Sequence, residues 1–170
     1  LRVPPRQVAL QQPIEAGDEI TIVDREGLQR CEVAYFSGEG REDLAALNLR
    51  GAEASLGINK LLAGQGEDAV AIAAALRRRK LPGVIDKAAV LFEGASRAGE
   101  QAKMTAVRAG TLLLHAPGGV MAVDERNPPT ELVAFIQRAK IPKTDAPPLA
   151  EPLVALREYI RTDRCTPRGD

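Results

Sequence analysis

Two β-rich runs separated by a short turn constrain the fold of this chain more than any other feature. Aliphatic residues dominate the first run, at 20–24, and β-branched and aromatic residues are frequent in the second, at 30–36. Between them, Gly27 ends a three-residue connection at a position that favours a positive φ. The pattern predicts a β-hairpin over residues 20–36, ending at the glycine-rich turn 37–40.

The middle of the chain predicts helices. Residues 41–49 and 55–63 are short helical candidates, and 67–80 is the strongest because it is rich in alanine and carries an apolar stripe. The stripe consists of Ala69, Val70, Ala73, Ala74 and Leu76. The basic residues at 77–80 complement the negative end of the helix dipole, and Leu81-Pro82-Gly83 ends the helix.

From residue 88 onward the hydrophobic period returns to two. Strands are predicted at 88–93, 103–107, 111–115, 120–124 and 131–138, with glycine and proline turns between them. A proline-rich linker and a terminal helix at 151–161 follow. This order predicts an α+β fold: a mainly antiparallel, barrel-like sandwich with an inserted helical segment and a C-terminal helix. We expect one domain at 1–143 and, at 144–170, a linker and helix leading to a further domain.

Charge and hydropathy exclude several classes of partner. The 23 basic residues balance 23 acidic ones, so no global field attracts nucleic acid or an anionic membrane. No run approaches the roughly 18 apolar residues of a membrane span. The cysteines Cys31 and Cys165 are too few for a disulfide framework and favour reduced thiols. We therefore expect a cytoplasmic protein that binds neither nucleic acid nor membrane.

Candidate chemistry is sparse. The single histidine, His115, ends an apolar strand, where it is a general-base candidate or a structural residue. Asp24 and Glu32 flank the predicted turn, where they handle a proton, hold a cationic group of a substrate, or are solvated turn residues. Cys31 is either a nucleophile or a buried, inert thiol. One histidine and two distant cysteines do not make a metal-ligand pattern, so no metal site is predicted.

The predicted hairpin also carries a family resemblance. Residues 17–29 read GDEITIVDREGLQ, which resembles the hairpin that opens domains of the urea carboxylase-associated family. That pattern has a glycine, two or three residues, alternating aliphatics, an aspartate, two further residues, a glycine, any residue, a glutamine and, three residues on, an acid. Glu32 stands where the family usually has aspartate. A second patch, at 113–139, resembles the C-terminal strands of the family.

The resemblance implies two contexts. Family members that act alone resemble subunits of a hydrolase that releases ammonia from carboxylated guanidine. Other copies precede a folate-binding aminomethyltransferase-like domain of the glycine cleavage type, and residues 166–170 resemble the start of another such hairpin, which favours this second context. Catalytic members carry a histidine- and cysteine-containing segment in the middle, whereas this chain has no histidine before His115. The resemblance thus implies a copy without the metal ligands.

The leading hypothesis is a non-catalytic accessory or substrate-gating domain of a folate-dependent aminomethyltransferase-like protein. Its expected partner is an adjoining catalytic domain or subunit, where tetrahydrofolate would bind; no cofactor is expected in this domain. The candidate ligand contacts, for a small-molecule substrate, are Asp24, Gln29, Glu32 and His115. Two alternatives stay open: a hydrolase of a guanidine- or urea-type C–N bond, and a structural domain that forms homo-oligomers.

Overall fold

The computed structural model describes residues 1–3, 5–51, 54–93, 96–117 and 130–139. Within these residues the chain forms eight strands, two α-helices and a 3-10 turn at Leu44–Leu47. The strands are β1 (Arg2–Val3), β2 (Val8–Ile14), β3 (Glu19–Asp24), β4 (Cys31–Ser37), β5 (Ala89–Leu91), β6 (Glu100–Thr105), β7 (Gly110–His115) and β8 (Leu132–Gln137). The helices are α1 (Leu56–Leu62) and α2 (Glu67–Arg78).

The strands form two four-stranded sheets. The first has the order β1-β8-β3-β6 and the second the order β2-β7-β4-β5, and every neighbouring pair is antiparallel. Apolar side chains of both sheets share one buried cluster, so the sheets pack face to face. The predicted class, an α+β fold built on an antiparallel sandwich, is confirmed.

The second sheet is buried on both faces. From β4, Val33 and Tyr35 face the first sheet, whereas Ala34 and Phe36 belong to a separate apolar cluster. The same alternation occurs on β7, where Leu113 joins that separate cluster. The helical segment completes the cluster through Ile58, Leu76, Leu81, Ile85 and Ala88. The described residues therefore form three layers, sheet, sheet and helices, and the middle sheet carries the most apolar strands.

The prediction of a hairpin at 20–36 is wrong. Strand β3 pairs with β6 and β8, whereas β4 pairs with β5 and β7, so the two runs lie in different sheets. Both runs are strands, as predicted, but the connection between them crosses from one layer to the other. Gly27 does adopt the expected positive φ, of 85°. An added Cβ there would lie 2.8 Å from the backbone nitrogen of Ala98, so the crossing also needs glycine for space.

The helical predictions hold with shifted ends. Helix α1 falls inside the predicted 55–63, α2 inside 67–80, and a 3-10 turn takes the place of the helix expected at 41–49. On α2, Ala69 and Leu76 are buried as expected, but Val70 is 60% exposed and so leaves the predicted stripe. The predicted strand 120–124, the linker, the domain boundary at 143 and the terminal helix lie outside the described residues.

Within the described part of the chain, no helix is both long enough and apolar enough to cross a membrane.

Candidate functional site

Glu32 and His115 form a cross-strand pair on the helix-facing side of the second sheet. They are direct partners in the β4–β7 register, so the sheet itself places them side by side. Both side chains are only 3% exposed, and His115 Nδ1 lies 3.5 Å from Glu32 Oε2. That separation is at the outer limit of a hydrogen bond, and Nδ1 makes no hydrogen bond to any described residue. The contact is an ion pair whenever the imidazole is protonated.

Helix α1 meets this pair with its first turn. The N–H of Gly57 donates to both oxygens of Glu32, at 3.0 and 3.1 Å, and the N–H of Ile58 donates to Oε2 at 3.2 Å. The hydroxyl of Ser55, the N-cap residue, donates to the same Oε2 and accepts from the N–H of Ile58. Glu32 thus satisfies donors that the start of a helix leaves unpaired, and ties α1 to the sheet.

The electrostatics of Glu32 follow from these donors. Burial alone would raise the pKa of the carboxyl group. The contact with His115, the hydroxyl of Ser55 and the N–H groups of Gly57 and Ile58 outweigh burial and lower the pKa from 4.5 to about 2. Glu32 is therefore ionised throughout the physiological range, and both of its oxygens already accept hydrogen bonds from the protein.

Gly57 lets the imidazole reach the helix. An added Cβ at this position would lie 2.5 Å from His115 Cε1 and 2.6 Å from Nδ1, both far inside van der Waals contact. Its backbone φ is not in the left-handed region, so the requirement for glycine is one of space. The sequence thus places its smallest residue where the ring and the first turn of α1 meet.

A cavity of about 650 Å³ opens beside this pair. His115 and Gly57 lie in its wall. The other lining residues come from both helices, from the loop between them, and from the segments that precede β2 and follow β7. These residues are Arg6, Lys60, Leu61, Gly64, Gly66, Asp68, Ala69 and Pro117. Its volume is in the range of small-molecule sites in proteins.

The remaining two candidates, Asp24 and Gln29, occupy the turn after β3. Asp24 is fully buried and accepts hydrogen bonds from the N–H of Gly27 at 2.9 Å, from the N–H of Gln29 at 3.0 Å and from the hydroxyl of Ser96. Gln29 donates to the carbonyl of Gly27 and accepts from the N–H of Thr130 at 3.0 Å. Both side chains use their polar atoms to hold the crossing between sheets. A ligand contact by either stays a prediction.

The structure therefore divides the four candidates into two pairs. The predicted hairpin would bring Asp24, Gln29 and Glu32 together around one turn, but Glu32 points to the helix side of its sheet, away from the turn. His115, placed 83 residues later in the chain, is its true neighbour. His115 lines a cavity, whereas the polar atoms of Asp24 and Gln29 are bonded to the backbone around the turn and to Ser96.

Cys31 is fully buried between the two sheets. Burial, followed by the nearby carboxylates of Glu32 and Asp24, raises the pKa of its thiol well above the ordinary value. A buried thiol held in its neutral form is a weak nucleophile. This agrees with the second of the two alternatives for Cys31, a buried, inert thiol. Cys165 lies outside the described residues.

Among the described residues, no group of three or more His, Cys, Asp and Glu side chains is arranged to hold a metal ion.

Several residues of this site were not singled out from the sequence. Ser55 and Gly57 lie at the start of the helix predicted at 55–63, and nothing else in the sequence identifies them as site residues. Serine at a helix start is, however, a good capping residue. Arg6 and Lys60 are exposed cations of the kind found anywhere on a surface. No local pattern marks them; only the register of β4 with β7 and the packing of α1 bring them to one cavity.

Comparison with known proteins gives one informative similarity. No family model matches the chain. Over 153 residues the chain is 31% identical to the trimethylamine-oxide aldolase of Ruegeria pomeroyi. The matched segment covers 88% of this chain but only 19% of the aldolase. The chain is thus similar to one part of a much longer protein.

Proposed function

We propose that this chain acts as an accessory, substrate-gating domain of a folate-dependent aminomethyltransferase-like protein in the cytoplasm. One observation carries the proposal: 88% of the chain matches just 19% of an aldolase. A segment that corresponds to about a fifth of a longer enzyme is more suited to assist the catalytic region of that enzyme than to replace it. The folate context is supported by the resemblance of residues 17–29 to urea carboxylase-associated domains.

The geometry at His115 supports a gating role. The imidazole borders the cavity, and its partner Glu32 holds the first turn of α1 through Gly57 and Ile58. A ligand that moves the ring therefore acts on the contact that positions α1. Because both oxygens of Glu32 already accept from the start of α1, Glu32 serves to fix the ring and the helix, while His115 meets the ligand.

The test uses the complete protein in which this chain occurs. Turnover is measured with trimethylamine N-oxide, the compound named in the relative, and tetrahydrofolate binding is measured separately. Replacing His115→Gln removes a hydrogen bond to the ligand, so we expect about a tenfold loss in kcat/KM. Tetrahydrofolate affinity should not change, because the folate site lies in another domain. Glu26→Gln, an exposed carboxylate in the turn after β3, is the matched control and should leave both quantities unchanged.

Two results would contradict the proposal in different ways. If His115→Gln leaves kcat and KM at the wild-type values for every substrate tried, the gating role fails. If the complete protein does not bind tetrahydrofolate, the folate-dependent context fails while the accessory role stands.

A second candidate function rests on the same pair. A buried carboxylate beside an imidazole at a cavity wall is an arrangement that orients a general base. This favours hydrolysis of a guanidine- or urea-type C–N bond, in which His115 would move a proton. The isolated chain would then release ammonia from carboxyguanidine or guanidine, and His115→Gln would abolish it. Absence of ammonia release from both substrates excludes this candidate.

A further inference from the structure

The cavity beside His115 carries an excess of cationic groups. Arg6 and Lys60 line it, against the single carboxylate of Asp68. No ion pair within the described residues involves Arg6 or Lys60. Two cations against one carboxylate give the described wall of the cavity a net positive charge, although the chain as a whole is neutral.

The backbone fixes these cations next to the imidazole. The N–H of Arg6 donates to the carbonyl of Ala116 at 2.7 Å, which anchors Arg6 directly after the end of β7 and hence beside His115. Lys60 lies three residues after Gly57 on α1, so both share one face of the helix. The three groups are held by a strand end and a helix, which is the rigid support that a binding site needs.

His115 brings an imidazole ring to the cavity wall, with its Nδ1 turned towards Glu32. Its Nδ1 is buried and makes no hydrogen bond to any described residue, although the side chain lines the cavity. Glu32, 3.5 Å away, already accepts from three protein donors. Because Nδ1 is enclosed beside Glu32, a hydrogen bond from the ring to a ligand in the cavity would involve Nε2.

The rest of the wall selects the size and charge of the ligand. Leu61, Ala69 and Pro117 provide apolar surface for an organic body. The first turn of α2 carries Glu67 and Asp68, which repel a dianion such as phosphate more strongly than a monoanion. The combination favours a molecule with one negative group and an apolar remainder.

We propose that this cavity binds a small organic carboxylate whose charged group lies between Arg6 and Lys60. His115 donates a hydrogen bond to the carboxylate, and the apolar body packs on Leu61 and Ala69. This assignment names the ligand class for the cavity of the proposed gating domain, and its role in gating rests on that proposed function. Binding is measured directly, so the ligand assignment and the gating role can be contradicted independently.

The experiment is calorimetric titration of the 170-residue chain with four probes: hexanoate, hexanamide, hexylammonium and inorganic phosphate. The first three share one chain length and differ in charge. A charge-assisted contact is worth about 1.5–3 kcal/mol, so hexanoate should bind at least about tenfold more tightly than hexanamide. Hexylammonium and phosphate should bind more weakly than hexanoate.

Variants locate the binding. Lys60→Gln and Arg6→Gln should each weaken hexanoate binding about five- to tenfold, with little effect on hexanamide. Lys103→Gln is the matched control, because Lys103 is an exposed lysine on β6 in the other sheet, and it should change nothing. Lys60→Glu should reduce the preference for hexanoate over hexylammonium, or reverse it. All three side chains are exposed, so the fold should survive each of the four changes.

The assignment is overturned if hexanoate does not bind, if hexanamide binds equally well, or if phosphate binds more tightly than hexanoate. It is also overturned if neither Lys60→Gln nor Arg6→Gln weakens hexanoate binding. If hexanoate binds as expected but His115→Gln leaves turnover of the complete protein unchanged, the carboxylate site stands and the gating role fails.

Discussion

Asp24 and Glu32 are both buried acidic residues of the sandwich, but they differ in what surrounds them. Each accepts two backbone N–H bonds and one serine hydroxyl. The backbone donors to Asp24 lie three and five residues away, inside one turn. Those to Glu32 lie 25 and 26 residues away, on a helix.

This difference shows that a buried carboxylate is not by itself a candidate site. Asp24 closes a crossing between two sheets and is enclosed by the groups it binds. Glu32 joins a sheet to a helix, and its neighbour His115 reaches a cavity. What distinguishes the two among the described residues is the cavity beside Glu32, which its neighbour His115 lines.

The largest expected effect is on stability, from Asp24→Ala. The change leaves two N–H groups and the hydroxyl of Ser96 buried without an acceptor, and we expect a loss of about 4 kcal/mol in the free energy of unfolding. Urea unfolding at neutral pH measures it. Glu26→Gln, in the same turn but exposed, should change it by less than about 0.5 kcal/mol. A loss below about 1 kcal/mol would show that the crossing does not depend on Asp24.

Glu32 should make stability depend on pH in a defined window. Its pKa is about 2 in the folded chain against an ordinary 4.5, so its contribution is complete above pH 4.5 and is lost as pH falls towards 2. The shift corresponds to about 3 kcal/mol. Asp18 and Asp43 also have lowered pKa values, so the informative quantity is the difference between wild type and Glu32→Gln. That difference should shrink as the pH falls from 4.5 to 2; a constant difference would contradict the assignment.

The sequence predicts strands and helices well here, because both depend on local periodicity. It misplaces the pairing of β3 and β4, because pairing depends on which faces are buried. Residues 20–24 alternate, whereas 31–37 are apolar on both faces, and that contrast already indicates two different layers. His115 and Glu32 are recognisable as candidates by residue type alone. Their proximity depends on the register of β4 with β7, which no local pattern encodes.

A medium effect is expected from Gly57→Ala, which tests the contact between α1 and the imidazole. The new methyl group would lie 2.5 Å from His115 Cε1, so ring or helix must shift, and we expect a loss of about 2 kcal/mol in stability. Gly83→Ala is the control, because its added Cβ meets nothing within 4 Å. Thermal unfolding compares the two. Equal melting temperatures would show that the His115 ring has room to move away.

The smallest expected effects come from the two serines that donate to the paired carboxylates. Ser96→Ala removes one hydrogen bond to Asp24, and we expect a loss of about 1 kcal/mol. Ser55→Ala removes a bond to Glu32 and also the cap on the N–H of Ile58, so we expect about 2 kcal/mol. Only Ser55→Ala should also lower hexanoate affinity, because only its carboxylate partner positions His115. An equal loss of affinity in Ser96→Ala would mean that the Asp24 turn also shapes the cavity, and the distinction between the two carboxylates would fail.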